Sequence, residues 1–259
     1  MIFDTHAHYD DRQFENDRYS LLDSMKEAGI GTIVNNAADL ESVETSLELA
    51  HRYDFVYAAV GVHPENAYEL DDSKLLWLRD KSHDPKAVAI GEIGLDYHYP
   101  DNPDRDIQIK WFRAQLRLAL EEKLPVVIHS RDAAADTMEI MKEAASKGIV
   151  ADIHCYSYSP EQALEYVKMG FYIGVGGVIT FKNGKKLKQT VDKIPLDRIL
   201  LETDCPYMAP PPYRGQRCES PMIAEVVKVV AQQKGLTTQQ VCDMTCDNAK
   251  RLYGIHTPE

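Results

Sequence analysis

The chain has 259 residues, 44% of them hydrophobic and 27% charged, a balance that rules out a disordered polypeptide and provides for a substantial core. Its formal net charge of -12 argues against a protein that coats nucleic acid or an anionic membrane, but leaves room for a nucleic-acid enzyme whose bound cations supply positive charge locally. The five cysteines (Cys155, Cys205, Cys218, Cys242 and Cys246) are odd in number and lack paired CxxC spacing, which argues against both a disulfide framework and a thiolate zinc site.

Along the chain, short apolar runs rich in β-formers alternate with longer amphipathic stretches. The runs predict strands at Ile2 to His8, Thr32 to Asn35, Val56 to Val62, Ala87 to Glu92, Pro125 to His129, Val150 to His154, Phe171 to Val175 and Ile199 to Asp204. Between them lie helical segments such as Arg105 to Glu122, where Ile109, Phe112, Leu116, Ala119 and Leu120 recur at three- and four-residue spacing. Helical crossovers are the usual way to join parallel strands. Eight such units in this length predict an α/β fold, a single (β/α)8 barrel filling one domain over residues 1–259, with its active site at the C-terminal ends of the strands. No linker or low-complexity tract divides the chain, and the first strand lacks the glycine-rich turn of a dinucleotide-binding sheet. The longest apolar run, near Gly170 to Phe181, is too short to span a bilayer, and Asp4 and His6 stand where a signal peptide needs basic residues and an apolar stretch. A cytoplasmic chain with no membrane association is expected.

On that frame the metal-type residues fall in one place. In MIFDTHAHYD the alternation of a strand puts His6 and His8 on one face. Glu92 closes the fourth strand, His129 the fifth, His154 the sixth and Asp204 the eighth. Six ionisable residues at equivalent positions on five strands predict a binuclear metal site. Four imidazoles and two carboxylates would hold two divalent ions and leave positions open for water. Two such ions share and acidify a water while polarising the bond to be cleaved. Glu92, central in strand order, is the natural bridge.

FDTHAHYD, GVHPENA, AIGEIGLDY, LPVVIHSRDA, IHCYS, YIGVGGVITF, LLETDCPY and TCDNAKRLYG together resemble the TatD-like metal-dependent hydrolases, within the wider amidohydrolase-like barrel superfamily, over nearly the whole chain. The resemblance implies His6, His8, Glu92 and Asp204 around one metal, and Glu92, His129 and His154 around the other. It also implies a deoxyribonuclease, exonucleolytic in the 3'-5' sense on single-stranded or frayed DNA ends, with two divalent ions per chain (magnesium, manganese or zinc). DNA is then the expected partner, with no obligate protein partner.

Several other residues are placed to assist. His63 in GVHP either contacts substrate, supports a metal ligand from behind, or makes a loop hydrogen bond; Asp96 and His98 in GLDYHY are placed to orient ligands. Glu202, two before Asp204, should share its face and either hydrogen-bond a ligand, help the base or form an internal ion pair. His51, His83 and His256 read as surface residues. Positive charge for phosphate is offered by Arg131, by Lys182, Lys185, Lys186 and Lys188 after the seventh strand, unless that run is simply a solvated helix face, and by Arg214 and Arg217 after the eighth. Tyr156, Tyr158, Tyr207 and Tyr213 lie in neighbouring loops, where rings can stack on unpaired bases. The chemistry expected is in-line attack of an activated water on a phosphodiester, with Asp204 taking the water's proton. The same site would also serve a small amide, lactone or phosphoester, and a non-enzymatic metal-holding role is the remaining alternative.

Overall fold

The computed structural model describes residues 1–255; His256 lies outside them. Eight strands alternate with helices in the order of a (β/α)8 barrel. They run β1 (Ile2–Ala7), α1 (Arg18–Asp23), β2 (Ile30–Asn36), α2 (Leu40–Arg52), β3 (Val56–Ala59), α3 (Asp72–Ser82), β4 (Ala87–Asp96), α4 (Arg105–Glu122), β5 (Val126–Arg131), α5 (Ala134–Ser146), β6 (Ala151–Ile153), α6 (Pro160–Lys168), β7 (Tyr172–Val175), α7 (Lys185–Lys193), β8 (Ile199–Leu201), α8 (Ile223–Lys234) and α9 (Thr238–Tyr253). Unbroken apolar runs such as Val126–Ile128 and Ile199–Leu201 are buried throughout, as expected of parallel strands covered on both faces. Among the described residues no helix is long and apolar enough to cross a membrane.

The chain forms two compact units. The first comprises Met1–Asn35 and Cys155–Glu259. In it β1 pairs in parallel with β2, matching Asp4 with Ile33, and β7 pairs with β8, matching Gly174 with Leu200. A parallel bridge between Ala7 and Cys205 ties the end of β1 to the segment after β8. Helix α9 packs on β1, with the rings of Phe3 and Tyr253 stacked at 6.1 Å. Its start is fixed by a capping box, in which the Thr237 hydroxyl accepts the Gln240 N–H and Gln240 Oε1 accepts the Thr237 N–H.

The second unit is Asn36–His154, with β3 to β6 paired in sequence order. Strand β4 continues four residues beyond Glu92, to Asp96, because Gly94 can lie against the backbone of β5. A Cβ at Gly94, at φ 148°, would fall inside the His129 carbonyl oxygen. That extension brings Asp96 into register with Arg131. Strand β3 stops at Ala59, short of its predicted end at Val62, and His63 instead caps a short 3-10 turn, accepting the Glu65 N–H at Nδ1 (3.3 Å). Helix α4 spans its predicted range, but Leu120 is exposed and the buried stripe includes Gln108 and Gln115.

Candidate metal centre

In the second unit the buried carboxylate of Glu92 is the hub. Its Oε1 lies 2.9 Å from His129 Nδ1, 3.8 Å from His154 Nε2 and 3.9 Å from His63 Nε2. A carboxylate so enclosed needs donors or a cation to offset its lost hydration. His63, Glu92 and His129 each present one ligand atom within 4.8 Å of the others, a nitrogen and oxygen set that fits a divalent ion. His129 stands between two acids, its Nε2 also 2.9 Å from Asp96 Oδ2. Burial works to lower the imidazole pKa, but the hydrogen bonds to Asp96 and Glu92 outweigh it and carry it up to about 9. Burial pushes the Asp96 carboxyl up, and the bond to His129 more than reverses this, holding it below its ordinary value. Glu65 shifts the other way: burial and then Asp96 raise it, against His129.

Two glutamines that sequence reasoning missed hold this cluster. Gln108 Oε1 accepts the Asp96 N–H at 2.8 Å, and its Nε2 donates to the carbonyls of Asp96 (2.8 Å) and Pro103 (2.7 Å). Gln115 does the same for Val62, just before His63, accepting its N–H at 2.8 Å and donating to its carbonyl at 3.0 Å. They are seven residues apart on α4, two turns on one face, and both are buried. The only signal in the sequence was their spacing.

In the first unit His6 Nε2 and His8 Nε2 stand 3.1 Å apart. Two imidazole nitrogens bonded to one tetrahedral zinc at about 2.0–2.1 Å would be separated by about 3.3 Å, so the pair fits a shared cation. Asp204 Oδ1 is 3.5 Å from His8 Nε2, and the Asp204 N–H donates to the His6 carbonyl at 2.9 Å. Asp204 occupies left-handed backbone space at φ 60°, uncommon for a residue with a side chain. What fixes it there is Asp4, which is fully buried and accepts the Thr203 N–H (2.9 Å), the Thr203 hydroxyl (2.7 Å) and the Ser220 hydroxyl (2.6 Å). Burial raises Asp4 to about 7 against these bonds. Asp4 is two residues before His6, so the alternation that paired the histidines was also its signal.

The predicted strand over Ile199 to Asp204 ends at Leu201 and Asp204 turns into left-handed space, while Glu202 keeps a carboxylate oxygen within 4.8 Å of a His6 ring nitrogen. Glu202 is fully buried, and its Oε1 accepts the N–H of Cys155, the residue after His154, at 2.7 Å. Gly174 leaves room for it, since a Cβ there would come within 2.5 Å of Glu202 Oε2. His98 is exposed, with Nδ1 2.7 Å from Asp132, and its N–H donates to Asp96 at 2.8 Å. His51 and His83 are exposed, as read, and pair with Asp84 and Glu122.

The basic residues differ in what they have left to offer. Lys182, Lys185 and Lys186 are exposed, and no carboxylate pairs with them among the described residues. Arg214 lies 4.2 Å over the Phe181 ring and donates to the Ala209 carbonyl. Arg217 is committed to Asp17 through two bonds of 2.7 and 2.6 Å and to Glu219 at 2.8 Å, so its charge is matched within the protein. Tyr156 is buried, with its hydroxyl on the Ser159 carbonyl, which removes it from the rings able to stack on a base; Tyr207 stays exposed.

Comparison with known proteins identifies the family. The family model described as TatD related DNase matches residues 3–254. A metal-dependent hydrolase of Bacillus subtilis, YabD, is 41% identical over 99% of this chain and 100% of its own length. The 3'-5' ssDNA/RNA exonuclease TatD of Cronobacter sakazakii is 33% identical over 97% of each chain. The crystal structure of YjjV, a TatD homologue from Escherichia coli K12, superposes with a TM-score of 0.92 at 32% identity, covering 98% of each chain. The fold is thus the (β/α)8 barrel, and the chain belongs to the TatD-related DNase family of metal-dependent hydrolases.

Proposed function

We propose that this hydrolase is a deoxyribonuclease that removes nucleotides from single-stranded or frayed DNA ends in the 3'-5' direction, with two divalent ions (magnesium, manganese or zinc) per chain. His6, His8, Glu92 and Asp204 would hold one ion, and Glu92, His129 and His154 the other. The observation that carries the reading is Glu92, whose single oxygen Oε1 is approached by three imidazoles. When bound, the ions supply a water acidified toward neutrality and positive charge at the scissile phosphate. The protein's own groups do the rest. Asp204, pinned through Thr203 by Asp4, accepts the attacking water's proton at its carboxylate. His63 accepts the Glu65 N–H at Nδ1, which leaves its Nε2 facing the Glu92 carboxylate at 3.9 Å. The unpaired lysines at Lys182, Lys185 and Lys186 favour a polyanion over a small neutral substrate. The name of the Cronobacter relative supports the same substrate class.

The test sets end-labelled single-stranded DNA, frayed and blunt duplexes, RNA, and a panel of amides and lactones against the protein loaded with each metal. Stepwise shortening of single-stranded DNA from the 3' end is expected. Inert nucleic acid beside rapid turnover of an amide or lactone would overturn the proposal.

A further inference from the structure

Arg131 closes β5 two residues after His129, and strand alternation sets both side chains on one face. Ser130, between them, turns the other way, its hydroxyl 2.8 Å from that of Thr137 on α5. The register pairs Asp96 with Arg131, and the Asp96 carboxylate reaches His129. The guanidinium therefore stands one step beyond the His129 imidazole, on the same side. It is exposed, and although its charge reaches Glu65 it makes no ion pair among the described residues, in a chain where acids outnumber basic residues by 41 to 29 and Arg79, Arg113 and Arg217 each form one with an acid.

What Arg131 touches is an aromatic ring. Its guanidinium lies 4.9 Å from the centroid of Tyr99 and donates to the Tyr99 hydroxyl at 3.1 Å. Tyr99 is 46% exposed, in the loop after β4. The loop is tied down: His98 meets the Tyr99 ring edge-on at 4.8 Å, is held by Asp132, and donates its N–H to Asp96, while Asn102 also donates to Asp96 at 3.1 Å. A preorganised ring beside an exposed arginine that makes no ion pair combines the two features that bind unpaired nucleotides: a π-face for the base and a cation for the phosphate.

We propose that Tyr99 and Arg131 form a platform that stacks a base of single-stranded nucleic acid next to the Glu92–His129 cluster and sets the preference for unpaired ends. The proposal rests on the nucleic-acid reading above. A base held in a duplex is not free to stack there, and stacking is indifferent to the sugar, so DNA and RNA strands are expected to use it alike.

The test measures KM and kcat of the metal-loaded protein on a single-stranded oligonucleotide and on an abasic strand of the same length, for wild type, Tyr99→Ala, Tyr99→Phe and Arg131→Ala. Loss of one base-aromatic stack corresponds to about a 5- to 150-fold weakening. Tyr99→Ala is expected to raise KM by that factor more on the base-bearing strand than on the abasic one, and Tyr99→Phe to restore most of it. Arg131→Ala should weaken both strands, since it also removes a phosphate contact. An unaltered KM in Tyr99→Ala, or equal losses on the two strands, overturns the platform while leaving the nuclease reading in place. If the wild type neither binds nor cleaves nucleic acid, the nuclease reading falls and takes the platform with it.

Discussion

Replacing Gln108 by leucine tests whether the α4 glutamines hold the site in place. The side chain is buried and makes three hydrogen bonds, accepting the Asp96 N–H and donating to the carbonyls of Asp96 and Pro103. The Asp96 carbonyl keeps a second donor in Asn102 at 3.2 Å. The Asp96 N–H and the Pro103 carbonyl lose their Gln108 partner. Two buried groups left unsatisfied at about 1–3 kcal/mol each give a loss of about 2–6 kcal/mol, of which the better burial of leucine offsets about 1–2 kcal/mol. Urea unfolding at pH 7, with slopes matched to wild type, reads the net destabilisation, about 2.5 kcal/mol from the midpoints of these ranges. Gln108→Glu adds a pH signature. It keeps the acceptor for Asp96 N–H but turns an acid toward two carbonyl oxygens, which raises its pKa in the folded state. The folded variant then binds more protons than the unfolded chain, so its stability is fully present below about pH 4, near the unfolded pKa, and falls as pH rises through the folded value. A leucine variant within about 0.5 kcal/mol of wild type, together with a glutamate variant whose stability is flat from pH 4 to 8, would refute the clamp.

Glu92→Gln removes the anionic hub and is expected to lower the content of both metals, whereas His6→Ala with His8→Ala empties mainly one; elemental analysis per chain separates them, and matching losses would remove Glu92 from the bridging position. Asp204→Asn should cut turnover about 10²- to 10⁴-fold, the usual contribution of a positioned proton acceptor, with a much smaller change in DNA affinity; near-normal turnover at saturating metal would pass the role to another group. Changing Lys182, Lys185 and Lys186 together to alanine should flatten the salt dependence of single-strand binding by about 2 on logarithmic axes, at about 0.7 per neutralised phosphate; a wild-type slope would take these lysines off the DNA path.

The sequence revealed most where a local period met a chemical type. His6 and His8 bring their Nε2 atoms to 3.1 Å at the end of β1, although the pairing of that strand with β2 is irregular between Asp4 and Ala7, and the same two-residue spacing carries Asp4, which the histidines overshadowed. Strand ends were harder to place. The extension of β4 to Asp96 depends on Gly94 clearing the His129 carbonyl, a contact between segments far apart in the chain, and the early end of β8 depends on a left-handed turn at Asp204 held by buried bonds to Asp4. Gln108 and Gln115 read as polar helix positions because a glutamine that clamps backbone has the same composition as one that faces water. Arg217 read as a free cation because its partner Asp17 lies 200 residues away in the sequence.

The most direct test of the account strips the protein of metal, verifies this by elemental analysis, and follows the hydrolysis of end-labelled single-stranded DNA while magnesium, manganese or zinc is returned stepwise. The His6–His8–Asp204 and Glu92–His129–His154 donor sets predict no cleavage by the stripped protein and activity that saturates as the second equivalent of a tightly bound metal enters. Full cleavage by protein shown to be free of metal would contradict it.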